Sequence, residues 1–255
     1  MTRSRLVLLG FCAAMLGAFA FSATSAMAAK EWLLAKLNGE KVELITFLPA
    51  TVELKAETTG ILHSKIIGKE VLFECSELKA INAKLLAGGN IGEKAGTVEK
   101  SFVKFSGCIT KIGGVTTASC EPKNGTEKGV ILTNPGHGTI VLHTVVLKNE
   151  KGEIIGEDKV ELTQILPDTG ETFATIFLGE LCSIGEEVPV IGKAFLKDCK
   201  NAFLSHLLEH LVEAGPLTEL WTISKTEEHK ATILGSAFAF LGGEHKGLHF
   251  SGDPD

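Results

Sequence analysis

Hydrophobic and polar positions alternate along most of the chain. The runs "KVELITF" from Lys41, "TVELKAE" from Thr51, "GTVEKSFVKF" from Gly96, "GTIVLHTVVL" from Gly138 and "KVELTQIL" from Lys159 place apolar residues two apart. That is the period of a strand with one face buried. Turn-forming pairs punctuate the runs: Asn38-Gly39, Gly88-Gly89-Asn90, Asn124-Gly125 and Lys151-Gly152. Close strand spacing with little helix between predicts a mostly β fold, an antiparallel sandwich or barrel. In "ATILGSAFAFLGG" both faces are apolar, with Leu234, Phe238 and Phe240 on one and Ala231, Ile233, Ala237 and Ala239 on the other. This segment reads as a central strand or as one lining the interior of a barrel.

One stretch breaks the alternation. Leu204, Leu207, Leu208, Leu211 and Val212 follow the helical spacing, and Gly215-Pro216 supplies a stop. The pattern predicts one short amphipathic helix over 202–214.

The N-terminus carries an export signature. Arg3 and Arg5 precede an apolar stretch from Leu6 to Phe21, and Ala26-Met27-Ala28 has the small-residue pattern of a cleavage site. The expected division is a signal peptide over 1–28 and a β-rich exported domain over 29–255. Two similar pairs of stretches, 41–51 with 159–169 and 97–107 with 232–242, raise a duplication into units of about 29–135 and 136–255.

Losing Arg3 and Arg5 with the leader takes the formal charge from −6 to about −8 and leaves no arginine. An acidic chain with scattered lysines lacks the clustered cations that phosphate binding requires, so nucleic acid is not an expected partner. After the leader no apolar run reaches the ~20 residues of a membrane span.

Export makes disulfides the default state of Cys75, Cys108, Cys120, Cys182 and Cys199, and the odd number leaves one over. Gly113-Gly114 centres a hairpin that predicts Cys108–Cys120. Proximity in sequence suggests Cys182–Cys199, leaving Cys75. The competing pairing is Cys75–Cys108.

Within the predicted helix, His206-Leu207-Leu208-Glu209-His210 has the form H-x-x-E-H. Histidines four apart share a helical face and can ligate one zinc, with Glu209 as general base towards a metal-bound water. No second helix offers the third ligand, and the leucine stripe makes the same helix a core element with a solvated polar face. "LPDTG" at 166–170 matches a cell-wall sorting motif, but 85 residues follow it and no apolar tail does; it reads as a turn. His229, His245 and His249 read as solvated loop histidines or a surface metal site. "GGNIGEKAG" lacks phosphate-loop spacing, Asn124-Gly125-Thr126 is read as a turn in spite of its glycosylation form, and no G-x-S-x-G occurs.

The runs "GETFATIFLGELCSIGEEVPVIG" (170–192), "EHLVEAGPLTELWTISKTEEHKATILGSA" (209–237), "HKGLHFSG" (245–252) and "FSGC" (105–108) resemble a group of uncharacterised exported proteins of high-GC Gram-positive bacteria. The resemblance implies export and a β-rich fold. It brings no activity, cofactor or catalytic residue.

Three functions follow as expectations. The first is a secreted, non-enzymatic binding or structural module of the cell envelope. The second is a zinc hydrolase built on His206, Glu209 and His210. The third is a carrier of a small apolar ligand, its interior lined by Phe238 and Phe240.

Overall fold

The computed structural model describes residues 31–38, 41–45, 50–85, 97–148, 151, 153–197, 209–214, 219–224 and 227–253. Its strands are β1 (Glu31–Asn38), β2 (Lys41–Ile45), β3 (Ala50–Ala56), β4 (Gly60–Ile66), β5 (Lys69–Ile81), β6 (Lys84–Leu85) and β7 (Thr97–Ile112). Then come β8 (Val115–Thr116), β9 (Lys123–Asn124), β10 (Glu127–Lys128), β11 (Ile131–Leu132), β12 (Gly136–Lys148), β13 (Ile154–Pro167) and β14 (Thr172–Phe177). The last are β15 (Glu187–Lys197), β16 (Glu209–Ala214), β17 (Glu219–Ser224), β18 (Glu227–Leu241) and β19 (His249–Asp253).

Many of these strands are halves of longer ones. β3 and β4 lie end to end along β18, and β5 and β6 keep one register along β7. β16 and β17 likewise run end to end between β15 and β18. Joined in this way, the strands form eight staves: 50–66, 69–85, 97–112, 131–148, 154–177, 187–197, 209–214 with 219–224, and 227–241. Each stave is antiparallel to the next in sequence, and the eighth pairs with the first, so the ladder closes on itself. The result is an up-and-down barrel, in which closure removes the exposed sheet edges.

Alternation sets the walls. Along β3, Thr51, Glu53 and Lys55 are exposed while Val52 and Leu54 turn inward. Glycine permits the bends. Gly192 has φ +105°, and a side chain there would meet the Glu219 carbonyl oxygen at 2.2 Å. Gly235 has φ +141°, and its missing Cβ would stand 3.1 Å from Gly60 Cα. Both lie where a stave passes from one tier of partners to the next.

The two ends are filled. At the end carrying the Ile67-Gly68 turn, inward Ile66, Val71, Phe73, Ile176, Val190 and Leu220 pack against the 113–130 excursion and the loop that follows β14. There Ser64 Oγ lies 2.6 Å from Thr222 Oγ1, and Thr110 Oγ1 donates to the Cys120 carbonyl at 2.5 Å, satisfying buried hydroxyls. At the other end Ala50, Leu85, Ile140, Leu241 and Phe250 form a second cluster. Phe250 belongs to β19, which pairs with β1 in a separate three-stranded sheet ordered β19-β1-β2.

The structure corrects the expected helix over 202–214. Residues 209–214 form β16, with ladders to β15 and β18 on its two sides. Val212 and Ala214 face the interior two residues apart while Leu211, in the same strand, is exposed, which is a strand pattern. Ladders on both sides decide between helix and strand, a tertiary override of local periodicity. Residues 202–208 lie outside the described residues. Among the described residues the helical segments are two short 3-10 turns, Ala118–Cys120 and Gly243–His245.

The disulfides also differ from the expected Cys108–Cys120 and Cys182–Cys199 pairs. The bridges are Cys75–Cys108 and Cys120–Cys182. The Gly113-Gly114 turn is present, but it pairs Ile112 with Val115 and Lys111 with Thr116. Carried on, that register sets Ser119 opposite Cys108, and Cys120 would face the other way. Cys108 instead stands directly across the ladder from Cys75, with Cα atoms 4.0 Å apart. Cys120, wholly buried, staples the excursion to the loop after β14. Cys199 lies outside the described residues. Of the two similar stretches, 41–45 lies in β2 of the small sheet and 50–51 at the start of β3, while 159–169 lies in β13 and the bend after it.

Candidate functional site

Between the two filled ends the barrel holds an apolar cavity of ≈ 170 Å³. Small residues make the space. Ala80 and Ala83 enter from the second stave, Ala194 from the sixth, Ala214 from the seventh, and Ala237 and Ala239 from the eighth. Larger side chains close it: Val52, Leu54 and Leu78 on the wall, Phe250 below, and Phe105 and Phe173 above. Seven of the eight staves contribute, so closure of the barrel is what forms the chamber.

The lining is chemically simple. Its side-chain hydroxyls belong to Ser101, Thr163 and Ser236, and no ionisable side chain lines it among the described residues. Ser101 donates to the Gly136 carbonyl at 3.4 Å. Ser236 is bound outward: its Oγ donates to the Glu57 carboxylate, and its N–H donates to Thr58 Oγ1 at 2.9 Å. An interior with its hydroxyls directed to the wall offers a guest dispersion and hydrophobic contact.

The wall thins beside the first stave. Ladder pairing between the first and second staves runs from Ile66–Lys69 to Gly60–Cys75 and resumes only at Thr51–Lys84. Pairing with the eighth stave pauses between Ile61–Leu234 and Ala56–Ala237. Leu234, which also lines the cavity, is 44 % exposed at that pause. Across that pause the Glu57 and Thr58 N–H groups donate to the Ser236 carbonyl at 3.0 and 3.2 Å.

Phe238 and Phe240, expected inside, alternate with Ala237 and Ala239 and face away from the cavity. The strand was read with two apolar faces, and the small face is the one turned inward. An eight-stranded barrel is narrow enough that side chains fill it. Alanines on that face leave room that phenyl rings would occupy.

The zinc constellation is not assembled among the described residues. Glu209 and His210 pair with Phe240 and Ala239 in an extended ladder, so residues four apart no longer share a helical face at this point. His206 lies outside the described residues. No group of three or more His, Cys, Asp or Glu able to hold a metal occurs among the described residues. His245 and His249 are buried beside the lower end. His229 Nε2 is buried without a hydrogen-bond partner, 3.6 Å from the nearest Glu227 oxygen. The "LPDTG" segment is the bend between β13 and β14: Asp168 takes the Pro135 carbonyl on its N–H at 2.8 Å and pairs with His137 at 2.8 Å, and Gly170 has φ +66°. That Asp–His pair has no nucleophile in its recorded bonds.

The chain matches no protein-family model, no curated protein and no solved structure. A barrel interior for a small apolar ligand was among the expectations, but its alanine lining was not. Its signal was the recurrence of alanine at inward strand positions, Ala237-x-Ala239 above all, which becomes informative once the pairing partners are known.

Proposed function

We propose that this protein is an exported, non-enzymatic binding module whose barrel carries one small apolar molecule. The apolar chamber inside the barrel carries the reading. An eight-stranded barrel has an interior suited to holding one small ligand. Apolar cavities of about 150 Å³ stay dry and take up benzene-sized guests, and this one measures ≈ 170 Å³.

The polarity of the barrel supports a protein that works in water. Charged residues such as Glu53, Lys55, Glu77 and Lys79 stand on the outside, and apolar residues stand within. A lipid-facing barrel carries the reverse arrangement. No helix among the described residues is long and apolar enough to cross a membrane. Two buried disulfides suit an oxidising compartment and agree with the export signature of the leader.

The test is mass spectrometry of organic extracts from native protein and from Ala237→Leu. Leucine at 237 projects into the chamber and removes the room for a guest. The expected result is one apolar compound in stoichiometric amount from the wild type and none from the variant. An empty wild type that also takes up no added apolar compound overturns the reading.

A further inference from the structure

At its upper side the chamber is bounded largely by side chains. Phe105, Phe173 and Ile233 line it, and the same three side chains line a second apolar chamber of ≈ 40 Å³ beyond them. The far walls of that smaller space include Phe73, Ile176, Val190 and Leu220. It exceeds the room that a water needs, about 10–15 Å³. Its one hydroxyl, on Thr133, already accepts the Val103 N–H at 2.9 Å. Water there would lack partners, so the space is dry.

Two apolar chambers thus adjoin, with the Phe105, Phe173 and Ile233 side chains and the Gly60 backbone lining both. Side chains in cores change rotamer although the backbone around them is fixed. A turn of the Phe173 or Phe105 ring joins the spaces into one long, tapering cavity. The upper part is far too small for a ring, which needs about 150 Å³. A methylene chain is narrow enough to enter it.

Resting on the apolar-ligand reading above, we infer that the occupant is an unbranched alkyl chain that lies along the barrel axis and threads the Phe105–Phe173–Ile233 partition. A compact ring gains contact from the larger chamber alone, and a chain gains from both.

The experiment is calorimetric titration of a homologous series of 1-alkanols into the full exported chain, with benzene as the compact reference. Affinity rises about fourfold per methylene while each new group is buried, then stops rising at a limiting length. Phe173→Ala removes most of the partition and moves that limit to longer chains. Ala174→Val narrows the upper chamber, where Ala174 is part of the lining, and moves the limit to shorter ones. A far-UV circular-dichroism spectrum and a cooperative thermal transition like those of the wild type show that each variant is folded. Where Phe173→Ala does not fold, Phe105→Leu opens the same partition. If alkanols bind but the limit is the same in all variants, or if benzene binds as tightly as the best chain, the threading inference is overturned and the cavity reading stands. If neither alkanols nor benzene bind, both fall.

Discussion

At the scale of single residues, glycine positions set the path of the chain. Gly192 combines φ +105° with a carbonyl 2.2 Å from where a Cβ would sit, whereas Gly113, at φ +59°, has nothing within 4 Å. Gly192→Ala should therefore cost more than about 2 kcal/mol in urea unfolding, from strain and clash together, and Gly113→Ala only about 1 kcal/mol, from conformation alone. Ile67 is the opposite case. It holds φ +49° in a two-residue hairpin turn ahead of Gly68 at φ +71°, a conformation that a β-branched side chain adopts at a cost. Asn-Gly is the favoured pair for such a turn. Ile67 is 44 % exposed, so little packing is lost on replacement. Ile67→Asn should raise stability by about 1 kcal/mol, read as a higher unfolding midpoint. Gly113-Gly114 and Asn124-Gly125 were legible as turns because their composition announces the conformation. Ile67 was not, because its side chain argues against the geometry its neighbours impose.

At the scale of elements, alternation found β2, β3, β7, β12 and β13, and β18 was found as a segment with two apolar faces. It passed over β15. There Pro189 and Gly192 read as breaks, yet the structure keeps both within the strand. Pro189 pairs with Thr175 of β14, and pairing with β17 begins only at Val190, so the missing N–H falls where β17 makes no pair. β16 was misassigned because the leucine spacing suggested a helix, whereas Val212 and Ala214, two apart, are the inward residues. Cysteine pairing failed for a related reason: sequence proximity does not report strand register, and one residue of register reverses a side chain. The bridges found here span sequence separations of 33 and 62 residues. Peptide mapping without reduction should recover Cys75 with Cys108 and Cys120 with Cys182. Replacing either pair by alanine should lower stability by about 2–4 kcal/mol, with the longer loop the more costly. A map that joins Cys108 to Cys120 would contradict the register of the second and third staves.

At the scale of the whole molecule, the function proposed is a consequence of closure. No single strand makes the chamber; alanines from four staves leave the room, and the filled ends seal it. The β class was readable from local alternation, since burial on one face leaves its mark in every strand. The barrel order was not, because the contact that closes it joins Val52 to Leu241 and Ile61 to Leu234 across most of the chain. For the same reason the inward face of β18 was open to either assignment until its partners were fixed. The most direct measurement is thermal unfolding of the wild type and Ala237→Leu with and without a saturating small apolar compound such as 1-hexanol. Ligand at ten times its dissociation constant stabilises the folded state by about 1.4 kcal/mol, which for a domain of this size raises the wild-type midpoint by about 3–6 °C. The midpoint of Ala237→Leu should not move. An unmoved wild type, or an equal rise in both proteins, would contradict an interior that accepts a guest.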